Sequence, residues 1–162
     1  LTCMQNLSQL SQTFVATKSG LGAPKRSGTA MFLEWRKSRS LIKEGEELIL
    51  VCPGDPNVAF PDSPEARRRY DTVDLDAPPA DLCSYAARDF ARFPLDSKSG
   101  RREPIAACLH HRHGAIVAFS DGSARFMDLD ELAVDAGTEL TVGPESPAEM
   151  LQSLTFDDGR TR

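Results

Sequence analysis

The chain has 162 residues, a formal net charge of −5 at pH 7 and four cysteines. That length suits one domain with a substantial core, since domains mostly run to about 100–150 residues. The mild acidity argues against a nucleic-acid or anionic-membrane surface, because such surfaces carry clustered Lys and Arg. The one basic run, residues 67–69, is short and is predicted to be a solvated helix face. No apolar run reaches the roughly 18 residues that a membrane-spanning helix needs.

The first stretch of the chain predicts a helix over residues 1–18. Its apolar residues Cys3, Leu7, Leu10 and Phe14 alternate spacings of four and three, which places them on one stripe. Gln and Asn fill the other face, so we expect the helix to lie on the surface of the remaining protein. Because it starts without a capping residue, it is predicted to be the C-terminal part of a longer helix.

The middle of the chain predicts one more helix, one strand and a long irregular segment. The helix covers residues 28–45, with Ser27 as its N-cap and Trp35 as a core anchor. A strand is predicted over residues 47–52, because that run is short, apolar and bounded by turn residues. Residues 57–82 contain four prolines and are predicted to form a loop with one helical turn, started by Ser63 and Pro64. Loops of this length are usually functional or disordered.

The second half of the chain favours strands. They are predicted around residues 83–88 and 105–109, and on both sides of Asp121-Gly122, a strong hairpin signal. A two-residue turn there would place one set of residues on the face that meets the core. That set is Ala115, Val117, Phe119, Ala124 and Phe126.

The last residues predict a small strand over 139–142, a helix over 146–154 and a frayed tail over 155–162. Helices at one end of the chain, followed by antiparallel strands, indicate a single α+β domain over residues 1–162.

Three histidines in a span of four residues raise the question of a metal site. Zinc needs three or four ligands from Cys, His, Asp or Glu. In a regular strand Cys108 and His110 point to one side, and His111 and His113 point to the other. His111 and His113 could therefore form a two-ligand clip, with Asp121 or the long loop supplying another ligand. No HExxH motif accompanies the clip, so a structural role is favoured over a catalytic metal.

Other templates for chemistry fit less well. Asp121 is explained by a type I′ turn, in which it would adopt positive φ. Calcium could use the oxygens of Asp121, Asp128, Asp130 and Glu131, but these do not match an EF-hand loop. There is no GxSxG or P-loop motif. Cys108 is interpreted as a buried or disulfide-bonded residue rather than a nucleophile. The four cysteines contain no CxxC pair, and they allow three pairings as two disulfides.

Several short motifs, in order, resemble one known family. His111, nine residues and then Asp121-Gly122 resemble the H-X9-DG motif of bacterial prepilin-type proteins. The stretch "CMQNLSQLSQTF" resembles the part of their first helix that follows the membrane half. "LILVCPGDP" resembles their Cys-Pro-x-Asp strand, and "CSYAARD" resembles their Ser-Tyr segment before the hairpin. The chain departs from the family at Ser123, where His is common, and at Ile116, where Asn is frequent.

The resemblance implies a pilin-like fold, in which an N-terminal helix packs on a small antiparallel sheet. It implies a non-catalytic subunit of a type IV pilus or a type II secretion pseudopilus, with no cofactor. A further apolar helix would anchor the chain in the inner membrane, with the head in the periplasm or outside the cell. Leu7, Leu10 and Phe14 would hold the helix on its sheet, and other subunits would be the partners. The resemblance also implies a disulfide, with Cys52 and Cys108 as the first pair to test.

Two alternatives stay open at the level of sequence. The first is a metal-binding envelope protein, either a metal-dependent hydrolase or a zinc or calcium site, that uses His111, His113 and Asp121. The second is an envelope domain that binds a ligand through the loop of residues 57–82.

Overall fold

The fold combines helices with one antiparallel sheet. The computed structural model describes residues 2–21, 24–96 and 101–156. These residues form three α-helices: α1 (Thr2–Leu21), α2 (Thr29–Lys37) and α3 (Pro64–Asp71). Two 3-10 helices cover Glu47–Leu50 and Glu149–Leu151. Five strands pair in the order β4-β3-β2-β1-β5: β1 (Ala86–Arg88), β2 (Pro104–His111), β3 (Gly114–Phe119), β4 (Ala124–Asp128) and β5 (Leu154–Thr155). The α+β prediction is confirmed. None of the helices in this described part has both the length and the apolar character needed to cross a bilayer.

Helix α1 lies along one face of the sheet. It contacts β2, β3 and β4, and its apolar stripe is buried, with Leu7, Leu10 and Phe14 at most 1% exposed. The spacing of the stripe predicts this burial. The buried Ser11 hydroxyl donates a hydrogen bond to the Phe119 carbonyl oxygen at the end of β3. The helix is therefore fixed to the sheet by apolar packing and by one polar contact near its middle.

The other face of the sheet is covered by the C-terminal part of the chain. Leu132, Val142, Leu151 and Phe156 are buried there against the outward side of β3. As a result, every residue of β3 is buried, although it alternates between two separate apolar clusters. The small strand predicted over residues 139–142 does not form, and the helix predicted over 146–154 is reduced to the 3-10 turn Glu149–Leu151.

We predict a frayed tail from residue 155, but Thr155 and Phe156 are ordered. Thr155 pairs with Ala87 across β5 and β1, and the Phe156 carbonyl oxygen accepts a 2.7 Å hydrogen bond from the Thr29 amide. Phe156 is also 3% exposed, so apolar burial and sheet pairing hold these residues. Residues 157–162 lie outside the described part.

Helix α2 is shorter than the sequence predicts. It ends at Lys37, and Ser40 then adopts a positive φ of 53°. The amides of Leu41 and Ile42 turn back to the carbonyl oxygen of Trp35. The N-cap is Gly28 rather than Ser27, whose hydroxyl instead accepts a hydrogen bond from the Phe90 amide. Trp35 is buried in the core, as predicted.

The prediction of a strand over residues 47–52 is wrong. Its first four residues form a 3-10 helix, because both carboxylate oxygens of Glu47 accept hydrogen bonds from the Gly45 amide and tighten the chain there. The segment makes isolated bonds rather than a strand ladder: the Leu50 carbonyl oxygen accepts from the Ser84 amide, and the Cys52 amide donates to the Ser84 hydroxyl. Apolar content alone did not distinguish this buried turn from a strand.

The segment of residues 57–82 is irregular apart from α3. Ser63 caps that helix by accepting a hydrogen bond from the Ala66 amide, with Pro64 in the first turn, as predicted. The segment is tied down beyond the helix as well. Arg69 pairs with Asp81 through two 2.8 Å hydrogen bonds, and the buried Tyr70 hydroxyl donates to the Leu82 carbonyl oxygen. The basic run is thus a helix face paired with its neighbours.

The hairpin at Asp121-Gly122 forms, but its predicted register is wrong by one residue. Ala124 pairs with Ala118 rather than with Phe119. The loop has three residues and ends with Gly122 at φ 92°, a geometry in which Asp121 keeps negative φ. A slip of one residue moves β4 side chains to the opposite face. Phe126 therefore lies on the α1 side, opposite Ile116, and Met127 takes its place in the other cluster.

Candidate metal centre

A β-bulge near the end of β2 brings Cys108 and His111 to the same side of the sheet. Cys108 pairs with Ile116 and His111 pairs with Gly114, so three steps along β2 match two steps along β3. The extra residue reverses the alternation of side chains beyond it. The expectation that Cys108 and His111 point to opposite faces is therefore wrong.

The bulge completes a cluster of four metal-binding side chains. The sulfur atoms of Cys3, Cys52 and Cys108 and a ring nitrogen of His111 all lie within 4.8 Å of one another. Cys3 comes from the start of α1, Cys52 follows the 3-10 helix, and the other two come from β2. The three cysteines are at most 3% exposed. Residues far apart in sequence thus meet at one buried point under the first helix.

Cys52 is the centre of this cluster. Its Sγ lies 2.7 Å from the Sγ of Cys3. Hydrogen bonds from the thiols of Cys108 and Cys3 and from the Gly54 amide, with the nearby His111, lower the pKa of Cys52 to about 5 despite its burial. The surroundings of Cys52 therefore favour its thiolate form, even though the sulfur is buried.

The other two thiols hold their protons more tightly in the metal-free protein. Burial, together with the hydrogen bond to Cys52, raises the pKa of Cys3 to about 11. The hydrogen bond that Cys108 donates to Cys52, followed by burial, raises the pKa of Cys108 far above its usual value. Within the cluster, Cys3 and Cys108 thus favour their protonated forms and Cys52 favours the thiolate form.

Polar groups outside the cluster favour the charged form of each cysteine. The Gly54 amide acts to lower the pKa of Cys52, the His110 amide that of Cys108, and the Tyr85 hydroxyl that of Cys3. Gly54 lies in the turn that begins at Cys52, and His110 lies in the bulged part of β2.

Asn6 connects Tyr85 to the neighbouring segment. Its side-chain amide nitrogen donates to the Tyr85 hydroxyl at 3.0 Å, and lies 3.3 and 3.4 Å from the carbonyl oxygens of Leu48 and Val51. Tyr85 is fully buried, and burial keeps its pKa well above the usual value. Asn6 and Tyr85 therefore fix Cys3 relative to the segment that carries Cys52.

His111 has an unused nitrogen. Its Nε2 atom is shielded from solvent and has no hydrogen-bond partner. A buried polar atom without a partner is unusual in a folded protein and needs an explanation. His111 also lines a cleft of about 550 Å³ between the end of β2 and the C-terminal segment. The residue thus belongs both to the cluster and to the lining of this cleft.

His110 precedes His111 in β2 and contacts a different residue. Its Nε2 atom is 3.2 Å from Oδ2 of the buried Asp55, although the two atoms are not aligned for a hydrogen bond. Asp55 also accepts a hydrogen bond from the Asn57 amide. His110 therefore holds the turn after Cys52 against β2, outside the four-residue cluster.

The predicted set of His111, His113 and Asp121 is not brought together. His113 is an exposed turn residue at φ 64°, before β3, and Asp121 follows the far end of that strand. The six residues of β3 separate the two ends by roughly 20 Å. A metal held by His111, His113 and Asp121 is therefore excluded by the geometry. His111 alone of the three belongs to the cluster.

Three of the four carboxylates considered for calcium, those of Asp121, Asp128 and Glu131, are used in two separate turns. Asp121 accepts hydrogen bonds from the amide and hydroxyl of Ser123. At the other end of β4, Asp128 accepts a 2.8 Å hydrogen bond from the Glu131 amide, and Glu131 pairs with Arg125. Each group is explained by its own turn.

The cysteines also differ from the expected pairing. No disulfide joins Cys52 to Cys108, and the Sγ atom of Cys52 lies 2.7 Å from that of Cys3. Cys83 is buried elsewhere, with its Sγ 3.7 Å from the Tyr85 carbonyl oxygen. The sequence did suggest Cys108 and His111 as ligand types, but the bulge and the long-range approach of Cys3 leave no local signal in it.

The donor set fits a closed, soft metal site. Three thiolates and one imidazole are ligands that zinc takes in tetrahedral structural centres. The burial of all three sulfur atoms argues against a cysteine nucleophile, since catalytic cysteines lie in partly exposed surroundings. No family model, curated protein or solved structure matches this chain.

Proposed function

We propose that this chain is a pilin-like or pseudopilin-like subunit of an envelope filament or secretion apparatus, with its head outside the cytoplasm. The observation that carries the proposal is the placement of α1. One side of this 20-residue helix is buried on an antiparallel sheet. The other side presents Gln5, Gln9 and Gln12 to solvent. A helix that uses only half of its surface for its own head leaves the other half for neighbouring subunits.

The motif residues support the proposal through their structural roles. Gly122 supplies the positive φ that closes the hairpin, and Asp121 accepts the hydrogen bonds inside the turn. Gly114 lies where β3 passes β4 so closely that a Cβ atom would collide with the Met127 carbonyl oxygen. The H-X9-DG pattern therefore spans β3: His111 ends β2 just before this strand, and the Asp-Gly turn follows it.

The metal-dependent hydrolase is not favoured by the geometry. A catalytic zinc keeps one coordination position open for water or substrate. The Cys3–Cys52–Cys108–His111 cluster offers four protein ligands and is enclosed. The loop of residues 57–82 is a weaker basis for a ligand-binding function, because contacts within the loop already hold it. Arg69 pairs with Asp81, and the Tyr70 hydroxyl donates to the Leu82 carbonyl oxygen.

The coding sequence upstream of Leu1 provides the test. We expect about 20 apolar residues, as a membrane-spanning helix requires, preceded by a short basic leader that ends in Gly. The fifth residue after that Gly should be Glu, as in the prepilin family that the chain resembles. An ordinary cleaved secretion signal, or an unrelated domain in that place, would overturn the proposal.

A further inference from the structure

We propose that Cys3, Cys52, Cys108 and His111 bind one zinc ion in a closed structural site. The inference does not depend on the proposed filament function, since it rests on the cluster alone. It also departs from the set of His111, His113 and Asp121 that the sequence suggests.

The arrangement of ligand atoms supports a single shared ion. Ligands at about 2.0–2.3 Å from a tetrahedral zinc lie within a few ångströms of one another. The four donor atoms here already lie within 4.8 Å of each other. Shifts in side-chain rotamers of Cys3 and Cys52, which are now 2.7 Å apart, would open the centre for the ion.

Polar groups surround the sulfur atoms. The Gly54 amide at Cys52, the His110 amide at Cys108 and the Tyr85 hydroxyl at Cys3 each act to lower the pKa of the neighbouring thiol. Polar groups behind ligand atoms orient the ligands and are characteristic of protein metal sites.

The unpartnered nitrogen of His111 supports the fourth position. Its Nε2 atom is buried and makes no hydrogen bond. Coordination would satisfy a polar atom that is otherwise costly to bury. A disulfide between Cys3 and Cys52 would leave both Cys108 and this nitrogen unexplained. Of the four ligands, His111 is also the one that lines the neighbouring cleft of about 550 Å³.

The chemistry of the ligands selects the ion. Thiolates favour Zn²⁺ over Mg²⁺ or Ca²⁺, which take oxygen ligands. With four protein ligands the ion has no open position, so its role is structural. It would join the start of α1, the turn after the 3-10 helix and the bulge of β2. The zinc would thus lock the first helix onto the head.

The test uses the chain purified under anaerobic reducing conditions, stripped with a chelator and titrated with Zn²⁺ or Co²⁺. We expect one zinc per chain. X-ray absorption should show three sulfur ligands at about 2.3 Å and one nitrogen at about 2.0–2.1 Å. Co²⁺ should give the charge-transfer and d–d bands of a tetrahedral thiolate site.

Variants distinguish this site from adventitious binding. The loss of a residue that only supports a metal ligand weakens metal binding by roughly 10- to 100-fold. His111→Ala and Cys108→Ser each remove a ligand itself, so each should weaken zinc binding by more than that. Cys83→Ser is the matched control, because Cys83 is equally buried but lies outside the cluster. His111 is half-buried, so its variant tests the site even if Cys108→Ser does not fold.

Three results would overturn the inference. The first is substoichiometric zinc in the unmodified chain. The second is unchanged affinity in His111→Ala. The third is a Cys3–Cys52 disulfide, with no metal, in protein isolated from its natural compartment, since oxidation would remove two of the four ligands.

Discussion

Zinc is expected to raise the free energy of unfolding of this chain by about 4 kcal/mol when free zinc is about 1,000 times its Kd. The physical reason is linkage. The four ligands come together only in the folded chain, because Cys3 is separated from Cys52 by 49 residues of sequence and the β2 ligands lie further on. An ion that binds only the folded state stabilises it by mass action. Urea unfolding with and without zinc, under reducing conditions, measures the shift.

The variants make this prediction specific. Cys108→Ser and His111→Ala should lose most of the zinc-dependent shift, each compared with its own metal-free baseline. Cys83→Ser should keep the shift, whatever its effect on the baseline. An equal loss in Cys83→Ser and Cys108→Ser would show that zinc acts elsewhere, and no shift in the unmodified chain would contradict the proposed site.

Replacement of Glu47 by Ala is expected to destabilise the fold by about 3–5 kcal/mol, the usual cost of breaking a buried ion pair. Glu47 is 1% exposed and Arg36 is 5% exposed, and their side chains meet at 3.0 Å. Without Glu47, the buried guanidinium of Arg36 keeps one carboxylate partner, the half-exposed Asp71. Glu47 also accepts the hydrogen bonds from the Gly45 amide that begin the 3-10 helix before Cys52.

Chemical unfolding of three variants separates the ion pair from general effects. Glu65→Ala is the control, because Glu65 pairs with Arg68 on an exposed helix face; a change below about 1 kcal/mol is expected there. The double variant Arg36→Met, Glu47→Met should recover much of the lost stability, since no charge is left buried. If Glu47→Ala costs no more than Glu65→Ala, the buried pair does not organise this region.

The parts of the fold that follow simple periodicity could be predicted from the sequence. The stripe of Leu7, Leu10 and Phe14 identified α1 and its buried side. The capping pair Ser63-Pro64 located the start of α3, and Asp121-Gly122 located the hairpin. In each of these cases a local pattern and the tertiary structure favour the same result.

Other parts could not be predicted, because one extra residue changes the side on which every later side chain lies. The hairpin loop has three residues where two were expected, so Phe126 lies on the α1 side. The bulge in β2 places His111 beside Cys108, and only pairing with β3 specifies that bulge. The approach of Cys3 to Cys52 depends on how α1 lies on the sheet. A site assembled from three such elements cannot be found from spacing along the chain.

Helix α1 connects the metal cluster to the surface proposed for contact with other subunits. Its buried side ends in Cys3, which is fixed by Tyr85 and by the cluster, and Asn6 binds the segment before Cys52. Its exposed side carries polar residues, and no other element of the described part of the chain covers them. We infer that the head holds the helix rigidly and that neighbouring copies contact the side that remains.

Site-specific photo-crosslinking in cells that express the complete gene tests this claim most directly. A photo-reactive residue at Gln9, exposed on α1, should join two copies of the chain and give a ladder of multimers. The same residue at Glu139, exposed on the segment that covers the other face of the sheet, is the control and should give little multimer. Crosslinking between copies at Gln9 well above that at Glu139 is the result that the account predicts. The absence of multimers at Gln9, or no difference between the two positions, would contradict it.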